Sequence, residues 1–175
     1  MILPTKCWLI WSYSLRIIGV DPGLRVMGIG IVDLQNTQFK PVHFSVVRTK
    51  ATESLDHKLE ALYNGLMEMI NVYEPQVLSV EEAFYGTNAR TALLMGHVRG
   101  VIMLGGRHVN IPVYEYAARK VKSAITGNGN ATKEQVQFMV QRLLSLKMLP
   151  TPLDASDALA IAMCHGLNAR TQNLR

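Results

Sequence analysis

Apolar residues recur along this chain with two periods, and the switch between them outlines the fold. From Arg16 to Val32 two β-rich apolar runs flank the turn Asp21-Pro22-Gly23, a pattern that predicts a hairpin. The second run covers Met27 to Asp33, and its Gly28 and Gly30 mark a place where another backbone or a ligand comes close. A third strand is predicted around Phe39 to Val47, with Pro41 putting its beginning at a sheet edge or a bulge. From Ser54 the period becomes helical: Leu55, Leu59, Leu62, Leu66, Met69 and Tyr73 recur at steps of three and four until Pro75. Val77 to Glu82 is short and nearly all apolar, as a strand buried on both faces should be. Ala89 to Leu104 reads as a helix, Ile111 to Tyr116 as a strand and Ala117 to Ile125 as a short basic helix, broken by Thr126-Gly127-Asn128-Gly129-Asn130. Thr132 to Gln135 matches a capping box that opens a helix with Val136, Met139, Val140, Leu143 and Leu144 on its apolar face. Pro150 and Pro152 end that element, and Asp154 to Leu167 forms an alanine-rich final helix. This order implies an α/β domain with a mixed central β-sheet flanked by helices.

Length and composition then limit the organisation. At 175 residues and 49% hydrophobic content, one globular domain with a real core is expected over residues 16–170, preceded by an N-terminal extension (1–15) without regular structure and followed by a short tail (171–175). Lys6 and the apolar stretch Cys7 to Trp11 resemble a secretory signal faintly, but no small-x-small cleavage site follows. No apolar run approaches the roughly 18 residues needed to cross a bilayer. Cys7 and Cys164 have neither paired nor metal-binding spacing, so reduced thiols and a cytoplasmic setting are expected. The formal charge of +5 suits a polyanionic partner.

The chemistry-bearing residues are acidic. Asp21 ends the first strand among residues that ask to be buried, and an Asp-Pro-Gly turn alone would explain it as a turn former. Glu81 and Glu82 end the fourth strand on opposite faces, and Asp154 and Asp157 project one turn apart from one side of the last helix. If these elements are neighbours, the carboxylates share a site. Two unit charges about 4 Å apart repel by roughly 4 kcal/mol at an effective dielectric near 20, so such a cluster calls for cations. Hard oxygen donors favour Mg²⁺ or Mn²⁺, and no His or Cys cluster offers a zinc alternative. A two-metal carboxylate site suits phosphodiester hydrolysis. Between Tyr85 and Leu153 nine Lys and Arg face only Glu115 and Glu134, which points to nucleic acid. Lys122 and Lys133, flanking the glycine-rich turn, are the phosphate candidates, joined by Arg90, Arg119 and Lys120. Ala92, Gly96 and Gly100 share one helix face, where glycine costs about 1 kcal/mol relative to alanine, so close packing of another helix or of a second copy is expected there. His165 is expected to turn away from the Asp154 and Asp157 face, and Asp33 and Asp56 read as turn and helix-surface residues.

Ile-Gly-Val-Asp-Pro-Gly around Asp21, Val-Glu-Glu-Ala-Phe around Glu81, Glu-Tyr-Ala-Ala-Arg-Lys-Val-Lys from Glu115 and Asp-Ala-Ser-Asp-Ala-Leu-Ala-Ile-Ala from Asp154 together resemble the RuvC-type Holliday junction resolvases, within the RNase H-like nucleases. The resemblance runs from about Arg16 to Asn168. It implies an RNase H-like fold acting as a homodimer on four-way junction DNA, with Asp21, Glu81, Asp154 and Asp157 binding two Mg²⁺ per site and activating water. It also selects Glu81 over Glu82. Lys122 and Lys133 fall where the family has basic residues, and Phe84, beside Tyr85, falls on its aromatic position, suited to stacking on an unpaired base. RuvA and RuvB are the branch-migration partners so implied. A nuclease acting on RNA/DNA hybrid or simple branched DNA, and a junction-binding module that does not cut, are the competing readings.

Overall fold

The computed structural model describes residues 14–82 and 88–173. Five strands, β1 (Ser14–Asp21), β2 (Val26–Gln35), β3 (Gln38–Arg48), β4 (Val77–Glu81) and β5 (Val113–Tyr116), form one sheet in the order β3-β2-β1-β4-β5. The hairpins β1–β2 and β2–β3 pair antiparallel, whereas β4 joins β1, and β5 joins β4, in parallel. The predicted mixed sheet is therefore present. β1 begins two residues before the expected boundary, because Ser14 and Leu15 pair with Gln35 and Leu34 and Leu15 is buried in the core. Pro41 lies on the edge strand beside a register shift at Ile31/Val32, as its missing N–H requires.

Helices α1 (Leu55–Tyr73) and α2 (Ala89–His108) cover one face; α3 (Ala118–Thr126), α4 (Lys133–Leu143) and α5 (Leu153–Asn173) cover the other. On the first face Ile18, Val20, Ile29 and Ile31 meet Leu62, Leu66, Val98 and Ile102; on the second Ile17, Val32 and Leu34 meet Val121, Val136, Leu159 and Met163. The capping box of α4 forms as expected: Gln135 N–H donates to Thr132 Oγ1 at 3.3 Å and Thr132 N–H to Gln135 Oε1 at 2.9 Å. α2 outruns its predicted end at Leu104. Gly105 and Gly106 do not break it because both are buried, Gly106 so close to Val113 that a β-carbon there would fall 2.6 Å from Val113 Cγ2.

α5 lies across β1 and β2 and comes within backbone distance of them at three glycines. A β-carbon on Gly19, Gly28 or Gly30 would run into the α5 backbone at Ala158, Asp154 and Leu159 respectively. The glycines expected to admit a close neighbour thus admit this helix. At Gly30 the added carbon would lie 2.7 Å from Leu159 Cα and 2.8 Å from Ala158 C. Gly30→Ala should therefore lower the unfolding free energy by about 1–3 kcal/mol, the usual cost of overpacking. A chemical-denaturation midpoint equal to the parent's would contradict this seating of α5.

Candidate active site

Strand alternation decides which side chains meet α5. On β1, Ile17 and Gly19 face it, so Asp21 does too; on β4, Ser79 faces it and donates to Ile161 O at 3.4 Å, so Glu81 does too. Topology thus selects Glu81, and Glu82 falls on the opposite face. Asp21 pairs across β2 with Gly28, against which the Asp154 backbone rests, and this brings the first turn of α5 to the ends of the strands. There Asp21, Glu81 and Asp157 line a cleft of about 210 Å³ with Lys122 from α3 and Lys133 from α4. Asp154 stands beside the cleft, close enough for its charge to act on Asp21. The positive end of α5 favours carboxylates in this position. A larger groove of about 490 Å³ beyond α4 has Glu134 as the acidic member of its lining and no comparable cluster.

The charges are coupled. Burial pushes the Asp21 carboxyl up to about 8, and the nearby Asp157, Glu81 and Asp154 push the same way against Lys133. Glu81 is also raised, first by burial and then by Asp157, with Lys133 and Lys122 opposing. Lys133 Nζ donates to Asp157 Oδ2 at 2.8 Å, a hydrogen bond that raises the ammonium above its ordinary range. No three His, Cys, Asp or Glu side chains among the described residues form a ready-made ion cage, and Lys133 supplies the countercharge beside Asp157. The donor set nevertheless fits a hard divalent cation: all its donors are carboxylate oxygens, and the raised Asp21 and Glu81 register a deficit of positive charge.

The other expected residues divide. Lys120 is exposed with its ammonium 5.1 Å from the Tyr116 ring centre, and Arg119 is exposed and packs over Gly129 of the turn before α4. Arg90 is exposed in the first turn of α2. Phe84 and Tyr85 lie outside the described residues. Ala92 is half-buried, and Gly96 and Gly100 face open space, so among the described residues no helix of the same chain packs on them. Asp33 is not a turn residue: it sits within β2 and is bridged by Arg16, whose Nε donates to Oδ1 at 2.7 Å. Asp56 does lie in the first turn of α1. His165 does not turn away from Asp154, since eleven residues are about three helical turns. It is buried at β5, with Tyr116 Oη and its Nδ1 2.8 Å apart, and this link between the strand and α5 left no periodic trace in the sequence.

A five-stranded mixed sheet with carboxylates gathered from two parallel strands and a crossing helix defines an RNase H-like fold bearing an acidic site. Residues 17–165 match the family model for crossover junction endodeoxyribonuclease RuvC, and the chain belongs to that family. It is 48% identical over 149 residues to the crossover junction endodeoxyribonuclease RuvC of Desulforamulus reducens, covering 85% of this chain and 91% of that one. It is also similar to the structure of Thermus thermophilus RuvC in complex with Holliday junction substrate, with a TM-score of 0.86 and 31% identity over 90% of this chain and 96% of that one. The yeast mitochondrial Holliday junction resolvase Ydc2 shares the fold at a TM-score of 0.63 and 13% identity, covering 91% of this chain and 82% of that one.

The raised carboxyl of Asp21 carries a stability consequence. Between about pH 4 and about pH 8 the native protein keeps a proton that the unfolded chain has released, so stability falls as pH rises through this window and then levels off. Asp21→Asn stays neutral and lacks this fall. In chelator, its denaturation midpoint should exceed the parent's at pH 8 and converge on it toward pH 4. A parent–variant difference independent of pH would contradict the assignment.

Proposed function

We propose that this protein is a structure-specific endonuclease that resolves four-way (Holliday) DNA junctions by paired symmetric nicks in recombination and repair. The observation that carries the reading is the gathering of Asp21, Glu81 and Asp157 in one cleft with Asp154 beside it, in a chain that matches the RuvC family over 17–165. These four carboxylates would hold the metal. The chemistry supplied by bound Mg²⁺, with Mn²⁺ as substitute and two ions per site, is Lewis acidity toward the phosphate and activation of the attacking water. Lys133 orients Asp157 through its 2.8 Å hydrogen bond. Lys122, on the cleft wall by Glu81, offers an ammonium to a phosphate oxygen. Arg90, Arg119 and Lys120 extend the basic surface, and Phe84 with Tyr85 stack on unpaired bases at the crossover. Water attack leaves 5′-phosphate and 3′-hydroxyl ends.

A four-way junction is approximately twofold symmetric, and two strands of like polarity must be cut for resealable products, so a homodimer with one site per copy fits it. α2 supports this arrangement: Leu93 (65% exposed) and Leu104 (49%) flank the open Gly96 and Gly100 on one helix face. The protein acts in the cytoplasm, with RuvA and RuvB as branch-migration partners. Among the described residues no helix is long and apolar enough to cross a membrane.

With Mg²⁺ the protein should nick a mobile four-way junction in symmetric pairs while leaving plain duplex and RNA/DNA hybrid intact. Asp21→Asn should bind the junction and cut it at least 10³-fold more slowly, on the order of 4 kcal/mol of lost transition-state stabilisation. Hybrid cleavage at the junction rate, or full activity of Asp21→Asn, would sink the reading; junction binding without any cleavage by the parent would establish the binding-module alternative. Light scattering should report a dimer for the parent and a monomer for Gly100→Leu, whose side chain would force the paired helices apart. A Gly100→Leu dimer that makes paired nicks on a cruciform would show that the interface lies elsewhere.

A further inference from the structure

The carboxylate cleft has basic walls on its α3 and α4 side, and the other side of the cluster is basic as well. Asp21 pairs with Gly28, Gly28 pairs with Val46 and Val26 pairs with Arg48, so Arg48 shares the face of the sheet that carries Asp21 and on which the first turn of α5 rests. It ends β3 two strands away from Asp21, a lateral offset of about 10 Å, and two residues beyond Val46, which is level with Asp21, a further offset of about 7 Å along the strand. Arg25, which closes the turn after Asp21, and Lys50 flank it. All three cations are exposed, and their side chains form no ion pair or hydrogen bond among the described residues. The contrast with Arg16, Arg99 and Lys133, each engaged by a carboxylate, is direct.

The backbone beneath these cations is fixed. Thr49 Oγ1 donates to Leu24 O at 2.7 Å and Thr49 N–H to Arg25 O at 3.1 Å, tying the end of β3 to the turn that follows Asp21. The Lys50 N–H donates to Glu53 Oε2 at 2.9 Å, and Lys58 Nζ to Ala51 O at 3.2 Å. Glu53, the nearest acid along the chain, is thus engaged with a backbone N–H and leaves the Lys50 ammonium free. Because the backbone is already ordered, binding a polyanion here costs only the side-chain part of the conformational entropy.

We propose that Arg25, Arg48 and Lys50 form a second phosphate-binding lip, across the carboxylates from Lys122 and Lys133, that grips the backbone of a junction arm without reading sequence. The proposal rests on the reading of the chain as a junction nuclease and adds which surface positions the arm. An offset of roughly 12 Å from Asp21 places Arg48 within a few nucleotides of the scissile phosphate along one strand.

The test is junction affinity by fluorescence anisotropy in chelator, measured across about 0.05–0.2 M salt, for the parent and for Arg25→Ala/Arg48→Ala. Each lost phosphate contact should lower the slope of log affinity against log salt by about 0.9, so the double variant should lose roughly 1.8 in slope and bind roughly 60-fold more weakly at about 0.1 M. Arg48→Lys should keep the parent's slope, because a phosphate contact needs the charge and not the guanidinium. Lys40→Ala, an exposed position at the far end of β3, should bind as the parent does. A double variant with the parent's slope and affinity would overturn the lip while leaving the nuclease reading intact, and so would an equal loss in Lys40→Ala. A parent that does not bind the junction would overturn both.

Discussion

The backbone-to-backbone seating of α5 on the β1–β2 hairpin is the contact on which this molecule depends. Gly19, Gly28 and Gly30 bring no side chain of their own to this contact, and the helix lies over them close enough that a β-carbon on any of the three would collide. Strand and helix side chains ordinarily keep such layers about 10 Å apart, a distance at which short Asp side chains from a helix and a strand could not share a site. Here the first turn of α5 comes down beside Asp21, and the parallel β1–β4 pairing brings Glu81 to the same edge. Sheet order and glycine spacing therefore do what side-chain packing could not.

Closeness has an electrostatic cost. A buried carboxyl among like charges takes up a proton, as Asp21 does, and Lys133 can compensate for only part of the negative charge it faces. The cluster is thus held together against its own repulsion by the packing elsewhere, with hydrophobic layers on both sides of the sheet. A multivalent cation bound there would relieve the same repulsion, so affinity for metal and instability without it would have one origin.

Much of this was legible in the sequence because it is local. An Asp closing an apolar run, glycines two apart in a strand, a Thr–Gln capping box and carboxylates three apart in a helix are all short-range signals, and each lies where it was expected. What depends on partners distant in the chain was not. The local pattern left Glu81 and Glu82 equivalent, so that only the family resemblance chose between them before β4 was seen to pair with β1; Asp33 read as a turn residue because Arg16 lies seventeen positions away on the neighbouring strand. The face of Arg48 depends on a register carried across two strands and past a bulge, and the Gly105-Gly106 pair reads as a helix stop unless its packing on Leu66 and Val113 is known.

The most direct measurement is the unfolding midpoint of the parent protein at pH 8 as Mg²⁺ is raised, against NaCl of equal ionic strength. A cluster formed only in the native state stabilises it by RT ln(1 + [Mg²⁺]/Kd), so the midpoint should climb steadily with the logarithm of Mg²⁺ and respond far less to NaCl. A midpoint that responds equally to both salts would contradict the claim that these carboxylates form a cation site.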